Sequence, residues 1–422
     1  MDLRAMNSGV SGLLAEQQAL GVVGDNIANV NTVGYKAERA IFEDVLGHSI
    51  LAGTSSGLPG AGVAIGAIKQ NYTQGSLNTT GISTDVALSG DGFFVVNGSV
   101  DGITGNFYTR AGQFTLNKDG YLVNPSQLQV QGYAANGDGT YSASLSSIQA
   151  PTSSIQPRAT TGAAVTANLD ANATVPVNTW GDTTTTFASQ ANFSTTQTVY
   201  DTLGNSHTMD LYFVNTGTGT WDWHAVMDGT DTASTGSLTF GTNGALTGAT
   251  GTTVTYAPTG ADPMSIALNF GTAVAAGAAP IAGSMTSFAS SSNVSSQSQD
   301  GYASGDFSGI SIDGQGVVTG LYTNGQKLAI SQMGVAKFRS NDGLGRAGES
   351  LWIDTRESGP AAMGTAASGG RGSVSSGSVE SSNVDLATEF VSLIQHQRSF
   401  SANSKTITTA DEMLQELINI KR

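Results

Sequence analysis

Large apolar residues recur at heptad spacing at both ends of the chain. Near the N-terminus they occupy the a and d positions of a heptad that is broken at Gln17 and Gly24, and near the C-terminus they recur at every seventh position. This spacing predicts two terminal amphipathic helices that pair with each other, although heptads this short also fit two ordinary core helices. Phe390 and Leu417 broaden the C-terminal stripe. The residues that we expect to carry self-assembly, called the heptad residues below, are Leu3, Met6, Val10, Leu13, Leu20, Ile27, Leu386, Phe390, Leu393, Phe400, Ile407, Leu414 and Leu417.

Strand-sized apolar runs separated by turn residues lie inside these two ends. They fall between residues 91 and 123 and again between residues 310 and 338, with Leu328–Ile330 and Val335–Phe338 as separate strands. Asp313-Gly314 and Asn324-Gly325 are predicted hairpin turns, because these dipeptides accept positive φ at both central positions. If the chain ends pair, the rest of the chain is inserted between them. The two stretches are therefore predicted to form one discontinuous β domain.

The centre of the chain has a different composition. Residues 141–300 contain nine aspartates but only one basic residue, Arg158, with no lysine and no glutamate. Short apolar runs between Gly, Asn and Asp indicate an all-β module, and Tyr212 and Val214 with Trp221 and Trp223 predict half-buried strands. A disordered Ser/Thr-rich linker is the alternative, which these aromatic pairs disfavour.

The predicted fold class is mixed and mainly β, with nested discontinuous domains around paired N- and C-terminal helices. Residues 1-70 and 370-422 are predicted to form a helical polymerisation domain. Residues 71-144 and 300-369 are predicted to form a β-rich middle domain, and residues 145-299 an inserted all-β outer domain.

Charge and composition narrow the function. The chain has 17 basic and 32 acidic residues, a net charge of −15, which makes a nucleic-acid partner improbable on electrostatic grounds. It has no cysteine, and no run of 18 apolar residues predicts a membrane span. Met1 to Leu20 has no continuous apolar segment of the signal-peptide kind, so we expect any export to proceed without a cleaved signal.

Two letter matches to catalytic motifs fail in their context. Ser55 lies in the G-x-S-x-G match of residues 53–57, but within a Gly/Ser loop rather than the strand-to-helix turn that a nucleophile needs. Residues 343–348 match G-x-G-x-x-G, yet a short strand rather than a helix is predicted to follow. We therefore expect no catalytic residue, and a secreted hydrolase using Ser55 is disfavoured.

The remaining candidate ligands do not form a recognisable metal or cofactor site. His207 and His224 lie in the central module, whereas His48 and His396 lie in the terminal regions and would approach one another only if those regions pair. The aspartates of the central module lack calcium-loop spacing. We expect no metal and no cofactor.

Three segments resemble a known family. Residues 23–36 form an Asn-rich stretch similar to the N-terminal signature of the bacterial flagellar axial proteins, the rod and hook subunits, although Tyr35 and Asp25 replace their usual Phe and Asn. Residues 91–123 resemble the β domain of that family, and residues 389–422 resemble its terminal helix. The signature residues are Asn26, Asn29, Asn31, Gly34, Gln397 and Arg398.

The central segment from Val199 to Phe213, followed by Trp221, is similar to the outer domain of hook subunits; rod subunits lack so large an insertion. The resemblance implies a helical homopolymer in the extracellular hook of the bacterial flagellum, exported by the type III apparatus. It implies rod proteins, the hook cap and the hook–filament junction proteins as partners. A rod subunit, or a secreted β-rich adhesin, remains the alternative.

The residues suggest how such a polymer works. Head-to-tail contacts that do not close a ring build an open helical tube. Isolated helices of this length are marginal in water, so we expect both ends to be disordered in the free subunit and to fold on assembly. The weakly charged outer module is expected to slide between nearly equivalent packings, as a universal joint that transmits torque requires.

Overall fold

The computed structural model describes residues 4–46 and 60–420. Within them the chain forms three α-helices and a short 3₁₀ turn at Asn341–Gly343. The two long helices lie at the ends, as the heptads predict, and the remainder is mainly β, which confirms the predicted fold class. The helices are α1 (Arg4–Ala28), α2 (Phe187–Gln190) and α3 (Leu386–Ile420).

The strands are short and mostly antiparallel. Those before residue 150 are β1 (Glu38–Leu46), β2 (Gly60–Gln70), β3 (Leu77–Thr79), β4 (Val86–Ser89), β5 (Phe93–Val100), β6 (Ile103–Thr109), β7 (Thr115–Leu116), β8 (Leu122–Val123), β9 (Gln129–Ala135) and β10 (Tyr141–Ser147). Those between residues 160 and 300 are β11 (Gly162–Asn168), β12 (Phe193–Tyr200), β13 (Ser206–Gly217), β14 (Thr220–Met227), β15 (Thr230–Phe240), β16 (Leu246–Ala249), β17 (Thr253–Tyr256), β18 (Met264–Asn269) and β19 (Asn293–Gln299).

The last eight strands lead back to the C-terminal helix. They are β20 (Phe307–Ile312), β21 (Val317–Tyr322), β22 (Lys327–Lys337), β23 (Gly345–Gly348), β24 (Leu351–Ile353), β25 (Ala362–Thr365), β26 (Ser373–Ser376) and β27 (Ser378–Glu380). The two strands predicted at 328–330 and 335–338 are therefore one strand, β22.

The chain divides into two compact units. The terminal unit comprises Met1–Thr152, Gly309–Gly320 and Lys327–Arg422, and the inserted unit comprises Ser153–Ser308 and Leu321–Gln326. The separation of a helical domain from a β middle domain, with the boundaries given above, stays a prediction.

The β part of the terminal unit is built on a sheet in the order β22-β9-β5-β6-β24-β23. Phe93, Tyr108, Phe338 and Trp352 form its aromatic core, with Phe93 and Trp352 ring centroids 5.3 Å apart. Strand β27, which precedes α3, pairs with β3, while β1 and β2 form a separate antiparallel hairpin. Both long helices are thereby connected to this β core through short paired strands.

The inserted unit is a β-sandwich. A five-stranded antiparallel sheet, β12-β13-β14-β15-β16, packs on a four-stranded sheet, β17-β18-β11-β19, around one hydrophobic core. Trp221 and Trp223 are fully buried, as expected, but β13 directs Met209, Leu211 and Phe213 inward and leaves Tyr212 half-exposed. The strand is half-buried, as predicted, and the alternation ends at Phe213 and Val214, which are both buried.

The turns also differ from the prediction in detail. At Asn324-Gly325 only Gly325 has positive φ, at 80°. At residues 313–317 the positive φ belongs to Gly316 rather than Gly314, because Asp313 accepts the amide of Gly316. Both are turns, but neither has the two consecutive left-handed residues that the dipeptides suggested.

Candidate assembly surface

The two terminal helices pack antiparallel along a seam of small residues. An ideal Cβ on Gly9 would lie 2.9 Å from Ile407 Cγ1, and one on Gly12 would lie 2.6 Å from Asn403 Nδ2. Ala15 and Ala19 continue the buried face of α1. Glycine and alanine allow the helix backbones to approach closely, so the seam is narrow.

Polar residues of α3 cross this seam at intervals of seven. Glu389 Oε1 accepts a hydrogen bond of 3.1 Å from Asn26 Nδ2, His396 Nδ1 lies 2.6 Å from Glu16 Oε2, and Asn403 packs against Gly12. Polar layers at repeating core positions fix register at a cost in stability. The first turn of α3 is capped by Asp385, whose Oδ1 accepts the amide of Ala387.

The predicted seam of α1 needs correction. The positions that face the seam within one chain are 9, 12, 16, 19, 23 and 26, one residue before the predicted heptad. Val10 is exposed, while Met6, Leu13, Leu20 and Ile27 are half-buried. Large side chains mark the heptad in the sequence, but close helix packing selects the neighbouring small ones.

The heptad residues of α3 are distributed in the same way. Leu386, Phe390 and Phe400 are exposed, and Leu393, Ile407 and Leu414 are half-buried. Leu3 lies outside the described residues, as does the side chain of Leu417. Whether the heptad residues carry self-assembly stays a prediction.

Large apolar residues of both helices are exposed, and we call them together the apolar stripe. Extended apolar exposure marks interaction surfaces in soluble proteins. The β1–β2 hairpin extends the apolar surface with Phe42, Val45 and Ile68, and Phe42 stacks on His396 with centroids 6.1 Å apart. The exposed apolar residues of the two helices are Val10, Leu14, Leu386, Phe390, Val391, Ile394, Phe400 and Met413.

A buried charge cluster anchors α3 to the β part. Glu380, at the end of β27, is fully buried; its Oε1 lies 2.6 Å from Lys36 Nζ and its Oε2 lies 3.2 Å from Arg110 NH1. The amide of Gly75 also donates to Oε1, at 2.9 Å. Burial lowers the pKa of Lys36, an effect that the carboxylate of Glu380 opposes. The cluster joins four segments that are distant in sequence.

Asn26 forms a second anchor where α1 ends. Its Oδ1 accepts the amide of Glu38 at 2.8 Å and its Nδ2 donates to the carbonyl of Glu38 at 2.8 Å, so the side chain pairs like a strand residue. The hydroxyl of Tyr35 donates to the same Oδ1 at 3.3 Å. Burial, followed by the nearby charge of Glu38, raises the pKa of Tyr35 to about 12, so this hydroxyl keeps its proton.

The other signature residues have distinct places. Asn29 Nδ2 donates to the carbonyl of Asp25 at 2.9 Å and closes the last turn of α1. Gly34 has φ of 71°, and a Cβ there would lie 2.5 Å from the amide nitrogen of Ala111. The structure thus brings Asn26 and Gly34 into the anchors, whereas Asn31, Gln397 and Arg398 lie exposed.

Two anchor residues escaped the sequence reasoning. Glu380 and Glu38 occur in no local pattern that marks them. The available signal was indirect: Lys36 and Arg110 stand in the family-like segments without an acidic neighbour three or four positions away. Buried cations need an anion from elsewhere in the fold.

Among residues 4–46 and 60–420, no three His, Asp or Glu side chains are grouped to hold a metal ion. Ser55 and His48 lie outside the described residues, and His207 and His224 lie in the inserted unit. No helix among the described residues is long and apolar enough to cross a membrane.

Four family profiles match consecutive parts of the chain. Residues 6–36 match "Flagella basal body rod protein", and residues 87–177 match "Flagellar hook protein FlgE/F/G D1 domain". Residues 168–302 match "Flagellar basal body protein FlaE D2 domain", and residues 375–420 match "Flagellar basal body rod FlgEFG protein C-terminal". Together with the paired chain ends, these matches define the class: an axial protein of the bacterial flagellum.

Full-length relatives narrow the class. The chain is 36% identical to flagellar hook protein FlgE of Escherichia coli over 99% of this chain and 100% of that protein. It is 31% identical to the FlgE of Borreliella burgdorferi, again over 99% of this chain and 100% of the relative. This chain belongs to the flagellar hook protein family.

A solved structure agrees at the level of fold. The crystal structure of Helicobacter pylori flagellar hook protein FlgE2 aligns with a TM-score of 0.52 at 16% identity. The alignment covers 70% of this chain and 98% of that one. This likeness supports the mainly β fold.

Proposed function

We propose that this chain is the structural subunit of a bacterial flagellar hook. In this proposal it self-assembles into an open helical tube outside the cell and transmits torque from rod to filament as a universal joint. Rod proteins, the hook cap, the hook–filament junction proteins and the export apparatus are its proposed partners. We propose no catalytic activity, in keeping with the structural role of its relatives.

One observation carries the proposal: the helix pair buries its small residues within the chain and leaves large apolar residues on its surface. Burying such side chains gains about 25 cal/mol per Å² of apolar surface. In the proposed tube the stripe is covered by a different surface of the neighbouring copy, because only head-to-tail contacts between two different surfaces repeat without closing. We further propose that residues 1-70 and 370-422 line this tube, with residues 145-299 outermost.

The composition of the inserted unit supports the proposed role as a flexible universal joint. It carries ten aspartates and only one basic residue, Arg158, which already pairs with Asp300 at 3.3 Å. Copies of such a unit have no cations left for a rigid lattice of ion pairs. Their contacts are therefore proposed to be weak and interchangeable.

The assembly surface is tested with the double variant Phe390→Asn and Ile394→Asn. Both side chains are exposed in the single chain, so the fold should survive while polymerisation at high protein concentration is lost. Electron microscopy of negatively stained protein measures polymer, and circular dichroism checks the fold. The matched control is Val177→Asn, an almost fully exposed apolar residue of the inserted unit, which should polymerise normally. Normal tubes from the double variant would refute this surface.

The cellular role is tested by deleting the gene and inspecting the flagella. Basal bodies that stop at the rod, with filaments lost, are expected, and the wild-type gene should restore hooks. Intact hooks on a broken rod would assign the chain to the rod instead. Normal flagella would overturn the proposal altogether.

A further inference from the structure

One histidine of the inserted unit lies between two carboxylates. His207 Nδ1 is 2.6 Å from Asp228 Oδ2, and His207 Nε2 is 3.3 Å from Asp201 Oδ2. The side chain of His207 is 14% exposed and that of Asp201 is 2% exposed. The ring is thus largely enclosed and both of its nitrogens face acceptors.

This arrangement specifies the protonation of the ring. A neutral imidazole has one N–H donor and one lone pair, and a lone pair opposite a carboxylate oxygen is repelled. Only the imidazolium donates to both Asp201 and Asp228. The two short distances between ring nitrogens and carboxylate oxygens therefore favour the charged form of His207.

The alternative, a proton on one carboxyl group, is disfavoured by the other donors. Asp201 accepts the amides of Leu203 at 2.9 Å and Asn205 at 2.8 Å, and also Asn205 Nδ2 at 2.9 Å. Asp228 accepts the amide of Thr208 at 2.8 Å and the hydroxyl of Tyr256 at 3.0 Å. Hydrogen bonds of this kind favour the ionised carboxylate.

The partners come from separate elements of the sandwich. Asp201 begins the β12–β13 turn, His207 lies in β13, and Asp228 lies in the β14–β15 turn. Tyr256 ends β17, a strand of the opposite sheet, and its ring meets that of His207 edge-on with centroids 5.3 Å apart. The cluster therefore connects the two sheets at one end of the sandwich.

We propose that Asp201, His207 and Asp228 form a charged latch that holds this end of the sandwich closed and loosens when the imidazolium loses its proton. The latch gives a physical role to the stretch from Val199 to Phe213, which the family resemblance had marked without explaining. It lies wholly within the inserted unit and does not depend on the proposed assembly.

The titratable groups facing the ring are Asp201, Asp228 and Tyr256. Burial alone would lower the pKa of His207, but the hydrogen bonds and charges of the two aspartates together outweigh it and raise the pKa. Burial would raise the pKa of each aspartate, but their hydrogen bonds lower it. Burial and the charge of Asp228 raise the pKa of Tyr256, which therefore stays neutral.

The sign of the pH dependence follows from these directions. The contribution of His207 is complete below the pKa of an unfolded histidine, about 6.5. It disappears as the pH rises through the higher folded value. The contribution of the aspartates is complete above about 3.9 and disappears as the pH falls through their lowered values. The latch is therefore strongest from about pH 4 to pH 6.5 and opens on the alkaline side.

The protonation is tested by NMR titration of the histidine ring protons in the full-length monomer. His207 should titrate above a free imidazole, and His224 below it, since burial lowers the pKa of His224. Asp201→Asn and Asp228→Asn should each move the His207 midpoint downward. A His207 midpoint at or below that of free imidazole would overturn the latch.

Opening is tested by hydrogen exchange of β13 and β17 amides, corrected for the intrinsic pH dependence of exchange. Wild-type exchange should rise tenfold or more as the pH passes the His207 midpoint. His207→Gln should exchange fast throughout the range, because a glutamine donates to only one aspartate. The matched control, His224→Gln, should follow the wild type. A pH-dependent rise that persists in His207→Gln would also overturn the latch.

Discussion

Glu380 shows how a single side chain connects the helical ends of the chain to its β part. Its carboxylate meets Lys36, which follows α1, and Arg110, which follows β6, while its own strand leads into α3. The cluster connects the segment after α1 and the strand before α3 to the β part, and we call it the joint.

Glu380→Gln should destabilise the terminal unit substantially. The substitution keeps the shape but leaves two buried cations opposite a neutral amide, and breaking a buried pair in this way costs about 3–5 kcal/mol. The change in the free energy of unfolding is measured by urea unfolding, with hydrogen exchange of terminal-unit amides as the observable. The control is Lys337→Gln, because its pair with Asp91 is exposed and should contribute below about 1 kcal/mol. Equal effects from the two variants would contradict the role of the joint.

The residues that connect the helices to the β part could be predicted from the sequence only in part. Asn26 and Gly34 were predicted as signature residues, since the Asn-rich stretch is unusual in itself. Glu380 was not predicted, because its contacts to Lys36 and Arg110 span 344 and 270 positions. No local pattern at Glu380 indicates that its partners are Lys36 and Arg110, because neither lies near it in the sequence.

At the scale of elements, helix α1 has one face that packs on α3 within the chain and another face that is left partly exposed. Gly9 and Gly12 face the partner helix within the chain, whereas the larger heptad residues stay half-buried or exposed. The heptads correctly predicted both helices. They did not predict which face of α1 packs on α3. Hydrophobic periodicity marks large apolar side chains, whereas the close approach of two helix backbones depends on small residues such as Gly9 and Gly12.

Gly12→Leu should impair assembly by forcing the helices apart. Even a Cβ at this position lies 2.6 Å from Asn403 Nδ2, so a leucine must displace the Asn403 side chain from the seam. The critical protein concentration for polymerisation should rise at least tenfold. Gly21→Leu is the matched control, since a Cβ at that exposed position of the same helix has nothing within 4 Å. A critical concentration unaffected by Gly12→Leu would show that close helix packing is dispensable.

At the scale of the whole molecule, the helix pair of the terminal unit is stabilised very differently from the inserted unit. The inserted unit has a core of large side chains that includes Trp221, Trp223, Phe213 and Phe270. The helix pair is joined by glycine, alanine, Ile407 and polar layers, and several of its large apolar residues are exposed. Little apolar surface is therefore buried between the helices of a single chain.

This contrast predicts that α1 and α3 are ordered by assembly. In the free subunit their amides should exchange within seconds, because isolated helices are marginal and the seam contributes little burial. In the polymer, where a second copy covers the apolar stripe, the same amides should be protected at least a hundredfold. Amides of β13 and β14 serve as the internal reference, since the sandwich core should protect them in both states. If α1 and α3 were as protected as β13 in the free subunit, the seam alone would hold the helices, and folding on assembly would have to be abandoned.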